Sequence, residues 1–77
     1  MKDKILNLLT EIRPEFDFSE PVNFIEQGML DSFDIVILVT SIEEKFGILV
    51  DGMDILPENF SSIDKIEALI NKKGVRS

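Results

Sequence analysis

The chain has 77 residues, 44% of them hydrophobic and 30% charged, which makes one small globular domain and leaves no length for a second. Cysteine and histidine are both absent, so disulfides, thiolate nucleophiles, Ser-His triads and the common zinc and haem ligand sets are excluded. Fifteen acids against eight bases give a net charge of −7, the wrong sign for tracking a nucleic-acid backbone or an anionic membrane surface.

Ile5, Leu6, Leu8, Leu9 and Ile12 recur at helical spacing, and Pro14 disfavours helical geometry at Arg13, which predicts a first helix over about residues 2–13. From Pro14 to Asp31 neither a helical nor a strand period holds, yet the stretch contains Phe16, Phe18, Val22, Phe24, Ile25, Met29 and Leu30. A long loop pinned by its apolar side chains is expected, and loops of this length commonly carry function. A second helix should open at Asp31 or Ser32 and run to about Phe46, with Gly47 as its stop. Its wheel places Ile35, Leu38, Val39, Ile42 and Phe46 on a core stripe, and Phe33, Ile37, Thr40 and Glu44 on the opposite side.

Ile48-Leu49-Val50 is too short for a strand without a partner and reads as a loop packing inward. A short third helix is expected between Met53 and Phe60. A last helix should open at Ser61-Ser62-Ile63-Asp64, a tetrad that fits a capping box, with Ile63, Ile66, Leu69 and Ile70 as its buried stripe. The expected fold class is all-α, a small four-helix bundle in a single domain, with an ordered core over about residues 2–72 and a basic C-terminal tail over 73–77.

The start of the chain is too charged for a signal peptide, and no apolar run approaches the roughly 20 residues of a membrane span. A cytoplasmic monomer that neither inserts into membranes nor binds nucleic acid is therefore expected. Between Pro14 and Asp64, twelve acids face the single base Lys45. Such a surface repels itself and suits partners with basic patches. Magnesium or calcium should then stabilise the fold by relieving the repulsion, although no metal-ligand motif is present.

No phosphate-binding glycine loop, nucleophile elbow or twelve-residue calcium loop occurs. What stands out is Gly28-Met29-Leu30-Asp31-Ser32-Phe33-Asp34, an acid and a serine opening an amphipathic helix after a glycine. By capping physics alone, Asp31 or Ser32 as the cap and Asp34 as complement to the helix dipole are sufficient reason for these residues. Followed by Ile42-Glu43-Glu44-Lys45-Phe46-Gly47-Ile48, however, the run resembles the acyl carrier protein family, and the similarity covers about residues 2–72.

That resemblance implies a four-helix carrier fold with 4′-phosphopantetheine on Ser32, transferred from coenzyme A by a separate magnesium-dependent phosphopantetheinyl transferase. The arm would hold acyl intermediates as thioesters for fatty acid, lipid or polyketide-type biosynthesis. With no histidine to activate Ser32, the chain is expected to be a substrate of such an enzyme and not an enzyme itself. A phosphodiester on a serine at a helix N-terminus also lies where backbone N–H groups and the dipole favour an anion.

The resemblance further implies docking to acyl- or aminoacyl-handling enzymes through Asp31, Asp34, Glu43 and Glu44 at the family's acidic positions. Phe33 stands at the usual leucine after the serine, while Ile37 and Thr40 depart from the glutamate and methionine typical of fatty acid synthase carriers. On the acyl reading, a cargo chain could fold back among Ile35, Val39, Ile42, Ile63 and Ile66. Asp31-Ser32-Phe33, with Ile42-Glu43 and Phe46-x-Ile48-Leu49-Val50, is also similar to D-alanyl carrier proteins, so an aminoacyl cargo is the alternative. An unmodified acidic helical interaction module is a remoter one.

Overall fold

Three α-helices carry the structure, a computed structural model that describes residues 1–74: α1 (Lys2–Ile12), α2 (Ser32–Phe46) and α3 (Ile63–Lys72). Two 3-10 turns, Gly52–Asp54 and Pro57–Phe60, lie between α2 and α3. The expected third helix is thus two separate turns, and the four-helix bundle becomes three helices. Pro57 is the reason: it disfavours helical geometry at the preceding residue, and Leu56 is extended at φ −115° and ψ 140°.

Each helix turns one apolar stripe inward. Ile5, Leu8 and Leu9 of α1 meet Ile35, Leu38, Val39 and Ile42 of α2, and Ile66, Leu69 and Ile70 of α3. α1 packs against both other helices. Phe46, expected in the stripe, is only partly buried against this core.

The long loop is pinned as its composition predicts. Phe18 and Phe24 are buried and meet edge to face, with ring centroids 5.0 Å apart. Phe24 N–H donates to the Ser61 carbonyl at 2.8 Å, which ties the loop to the approach of α3. Each such ring contributes roughly 1.5–3 kcal/mol by leaving water. After α2, Gly47 adopts the left-handed conformation at φ 65° and returns its N–H to the Glu43 carbonyl at 2.9 Å, ending the helix as expected.

Three local expectations need correction. Leu49 does not pack inward with Val50 but stands 81% exposed. The capping box expected at the start of α3 is absent: the Ser62 side chain accepts from Lys65 N–H, but Lys65 has no carboxylate to return the bond. The basic tail expected over 73–77 starts within the fold at Lys73, which caps α3 and is ion-paired. Gly74 follows with its N–H on the Asn71 carbonyl at 3.1 Å, and the last three residues of the expected tail, Val75 to Ser77, lie outside the described residues.

Candidate functional site

α2 begins where the extended Asp31 (φ −107°, ψ −178°) meets the first helical turn. Asp31 Oδ1 accepts the Asp34 N–H at 2.8 Å, and Asp34 Oδ2 accepts the Asp31 N–H at 3.2 Å, a reciprocal capping box. Hydrogen bonding from the Asp34 N–H is the main cause holding the Asp31 carboxyl below the usual carboxylate range. Because Asp31 takes the cap, Ser32 is left as the first residue of the helix with its side chain exposed.

Asp34 is only 4% exposed, and Arg13 compensates its burial. The Arg13 Nε donates to Asp34 Oδ2 at 2.9 Å, while its Nη2 lies 3.5 Å from Asp31 and its Nη1 3.4 Å from Glu15. The bond to Asp34 is the first cause raising the Arg13 guanidinium above its ordinary pKa. Pro14 prepares the contact: Arg13 leaves the helix at φ −134° and ψ 78°, which turns its side chain toward the start of α2.

Beyond Ser32, the outer side of α2 is apolar. Phe33 is 72% exposed and Val36 58%, with Ile37 less so, and Thr40 follows with its hydroxyl turned back to the Val36 carbonyl at 3.2 Å. Val36 was missed by the wheel reading, although its spacing of three from Phe33 is the signal that finds it. Of the acids expected to face partners, Asp31 and Glu44 are exposed. Asp34 is buried, and Glu43 is half-buried with Oε2 accepting the Val50 N–H at 2.9 Å, so both are occupied inside the fold. Leu49, Met53 and Leu56 add exposed apolar surface after α2 that the sequence reading did not anticipate.

At the far end of α2 the following turn is closed by bases from α3. Lys73 Nζ lies 2.9 Å from Asp51 and also pairs with Asp54, which Lys72 reaches at 3.1 Å. These bonds, that to Lys73 first, hold the Asp54 carboxyl below its usual range. Acids at both ends of α2 are therefore answered by the chain's own cations. Among the described residues, no group of three or more acids is arranged to hold a metal ion.

A cavity of about 590 Å³ opens between the start of α1, the loop and the start of α3. Leu6, Phe18, Phe24 and Ile63 line it, and the Lys2–Asp64 ion pair at 2.8 Å links α1 to α3 at its rim. Of the residues expected to receive a cargo chain, Ile63 alone lines it, while Ile35, Val39, Ile42 and Ile66 are packed in the core. Among the described residues, no helix is long and apolar enough to cross a membrane.

A capped helix bearing an exposed serine on its first turn fits a covalently attached anionic arm, because the hydroxyl is accessible and the dipole favours the charge. Residues 3–70 match the family model for the phosphopantetheine attachment site, and the chain belongs to that family. It is a phosphopantetheine carrier protein, and its cofactor is the covalently attached phosphopantetheine group. Carrier domains of this kind are not themselves enzymes and work with phosphopantetheinyl transferases and acyl- or aminoacyl-handling enzymes. The chain is 33% identical over 73 residues to the D-alanyl carrier protein of Staphylococcus saprophyticus subsp. saprophyticus, covering 92% of this chain and 94% of that protein.

Proposed function

We propose that Ser32 bears the phosphopantetheine arm and that the thioester cargo is an aminoacyl group, D-alanine being the favoured one. The observation that carries this reading is the similarity to the D-alanyl carrier protein along nearly the whole of both chains. It reverses the order of the two readings given by the sequence, in which a fatty acyl or polyketide cargo came first. The packed core agrees with it, because a short polar cargo needs no chamber between α2 and α3, where Ile42 and Ile66 are fully buried.

Within this function the chain's own residues present and support the arm. Asp31 fixes the first turn, and Ser32 Oγ gives up its proton to the transferase and gains the phosphopantetheinyl group as the nucleotide part of coenzyme A leaves. Phe33, Val36, Ile37 and Thr40, with Asp31 and Glu44 at the margins, form the docking face. Asp34 and Glu43 hold that face in shape from within. The arm's thiol supplies the thioester chemistry that a chain without cysteine lacks.

The test is intact mass after incubation with coenzyme A, magnesium and a broad-specificity phosphopantetheinyl transferase, run beside Ser32→Ala. The unmutated chain alone should gain one phosphopantetheine. The modified chain is then offered D-alanine with ATP and a D-alanine-activating ligase, or a fatty acid with an acyl-activating ligase. Loading of D-alanine is expected; loading of the fatty acid alone would overturn the aminoacyl reading, and no modification at all would leave an unmodified interaction module.

A further inference from the structure

We infer that Arg13 is a positioning residue for modification of the carrier, acting through Asp34 and Asp31 to hold Ser32 in the geometry a transferase accepts; this rests on Ser32 being the attachment point. The guanidinium sits at the end of α1, separated from α2 by the whole long loop. Its Nε bonds the buried Asp34 carboxylate at 2.9 Å, and the same Asp34 oxygen accepts the Asp31 N–H at 3.2 Å. Asp31 immediately precedes Ser32, so one oxygen joins the α1 terminus to the backbone that presents the hydroxyl.

Among the described residues, no other base pairs with Asp31 or Asp34. The remaining charged partner of Arg13 besides Asp31 and Asp34 is Glu15, which is exposed and lies beside it in the loop. Without the guanidinium, Asp34 would be a buried carboxylate left with the Asp31 N–H and without its counter-charge. It would draw in water or turn outward, and either response loosens the Asp31 N–H and the first turn of α2 while leaving the apolar stripe of the helix in place. Arg13 therefore bears on the site and much less on the core.

Modification kinetics separate this role from general stability. Arg13→Gln in the full chain should keep its helical circular dichroism and cooperative melting, yet lose at least about tenfold in kcat/KM for phosphopantetheine transfer, since displacing a reacting group by about 1 Å costs up to about 10²-fold. Backbone amides of Ser32, Phe33 and Asp34 should exchange hydrogen faster, with Leu38 to Ile42 unchanged, and Arg13→Lys should recover part of the rate. Lys2→Gln, which breaks the exposed Lys2–Asp64 pair at the other end of α1, should be modified normally. If Arg13→Gln does not fold, Asp34→Ala, which removes the oxygen that joins Arg13 to the Asp31 N–H, should show the same defect. Folded Arg13→Gln or Asp34→Ala modified at the unmutated rate would overturn the inference. Failure of the unmutated chain to be modified at Ser32 would instead overturn the proposed function, so the two failures are distinct.

Discussion

The Lys73 ammonium forms an ion pair with the Asp54 carboxylate, and this pair closes the end of α3 onto the turn that follows α2. Asp51 and Lys72 extend it into a four-membered cluster. The cluster shapes how the fold responds to pH.

The folded pKa values of Asp17, Asp31 and Asp54 lie below the ordinary carboxylate value, so their contributions are complete above about pH 4 and are lost as pH falls through the folded values. Lys2 and Lys73 are raised, so theirs are complete below about pH 10.4 and lost as pH rises through the higher folded values. Melting midpoints should therefore be flat near neutrality and fall on the acid side. In Lys73→Gln the main cause of the Asp54 shift is gone, and the acid-side fall should be shallower; an unchanged slope would refute the assignment.

Magnesium should not stabilise the fold more than sodium chloride at equal ionic strength, contrary to what the acidic sequence suggests. Arg13 already sits among Glu15, Asp31 and Asp34, and Lys72 and Lys73 sit on Asp51 and Asp54. Matched melting curves decide the matter, because site binding would separate the two salts and screening alone would not.

Leu38→Ala and Phe33→Ala, both on α2, should behave oppositely. Leu38 is fully buried, and its truncation should cost about 2–5 kcal/mol in denaturant unfolding. Phe33 is largely exposed, so its truncation should change stability by less than about 0.5 kcal/mol while weakening the complex with the cargo-loading enzyme.

Ser32→Ala should abolish modification with a stability change under about 0.5 kcal/mol, because the cap belongs to Asp31. Asp31→Ala should lower the melting midpoint clearly, by removing the acceptor for the Asp34 N–H. A large loss in Ser32→Ala would show that the serine is itself structural.

Much of this molecule is set by local rules acting over a few residues. Helical spacing in Ile5 to Ile12, the proline after Arg13 and the glycine after Phe46 specify where α1 and α2 end, and the structure agrees with them. Ser32 at the head of an amphipathic helix was legible for the same reason, as were the apolar residues that pin the loop. The exposed Phe33 and Ile37 follow from the wheel of α2.

What tertiary structure alone decided is where each charge goes. Asp34 and Glu43 sit at positions that sequence reads as surface acids, yet one is buried against Arg13 and the other braces Val50. Arg13 and Asp34 are 21 residues apart, and Lys73 and Asp51 are 22 apart. No periodicity links such pairs, because their meeting depends on how the loops fold back over the core. The sequence by itself therefore determined the three α-helices, their stops and the serine, through short-range sterics and hydrophobic spacing, but over-read the two turns between Gly52 and Phe60 as a fourth helix. Packing determined which acids stay exposed and which are bonded inside the fold, because the cost of a buried charge is settled only by the neighbours that burial brings.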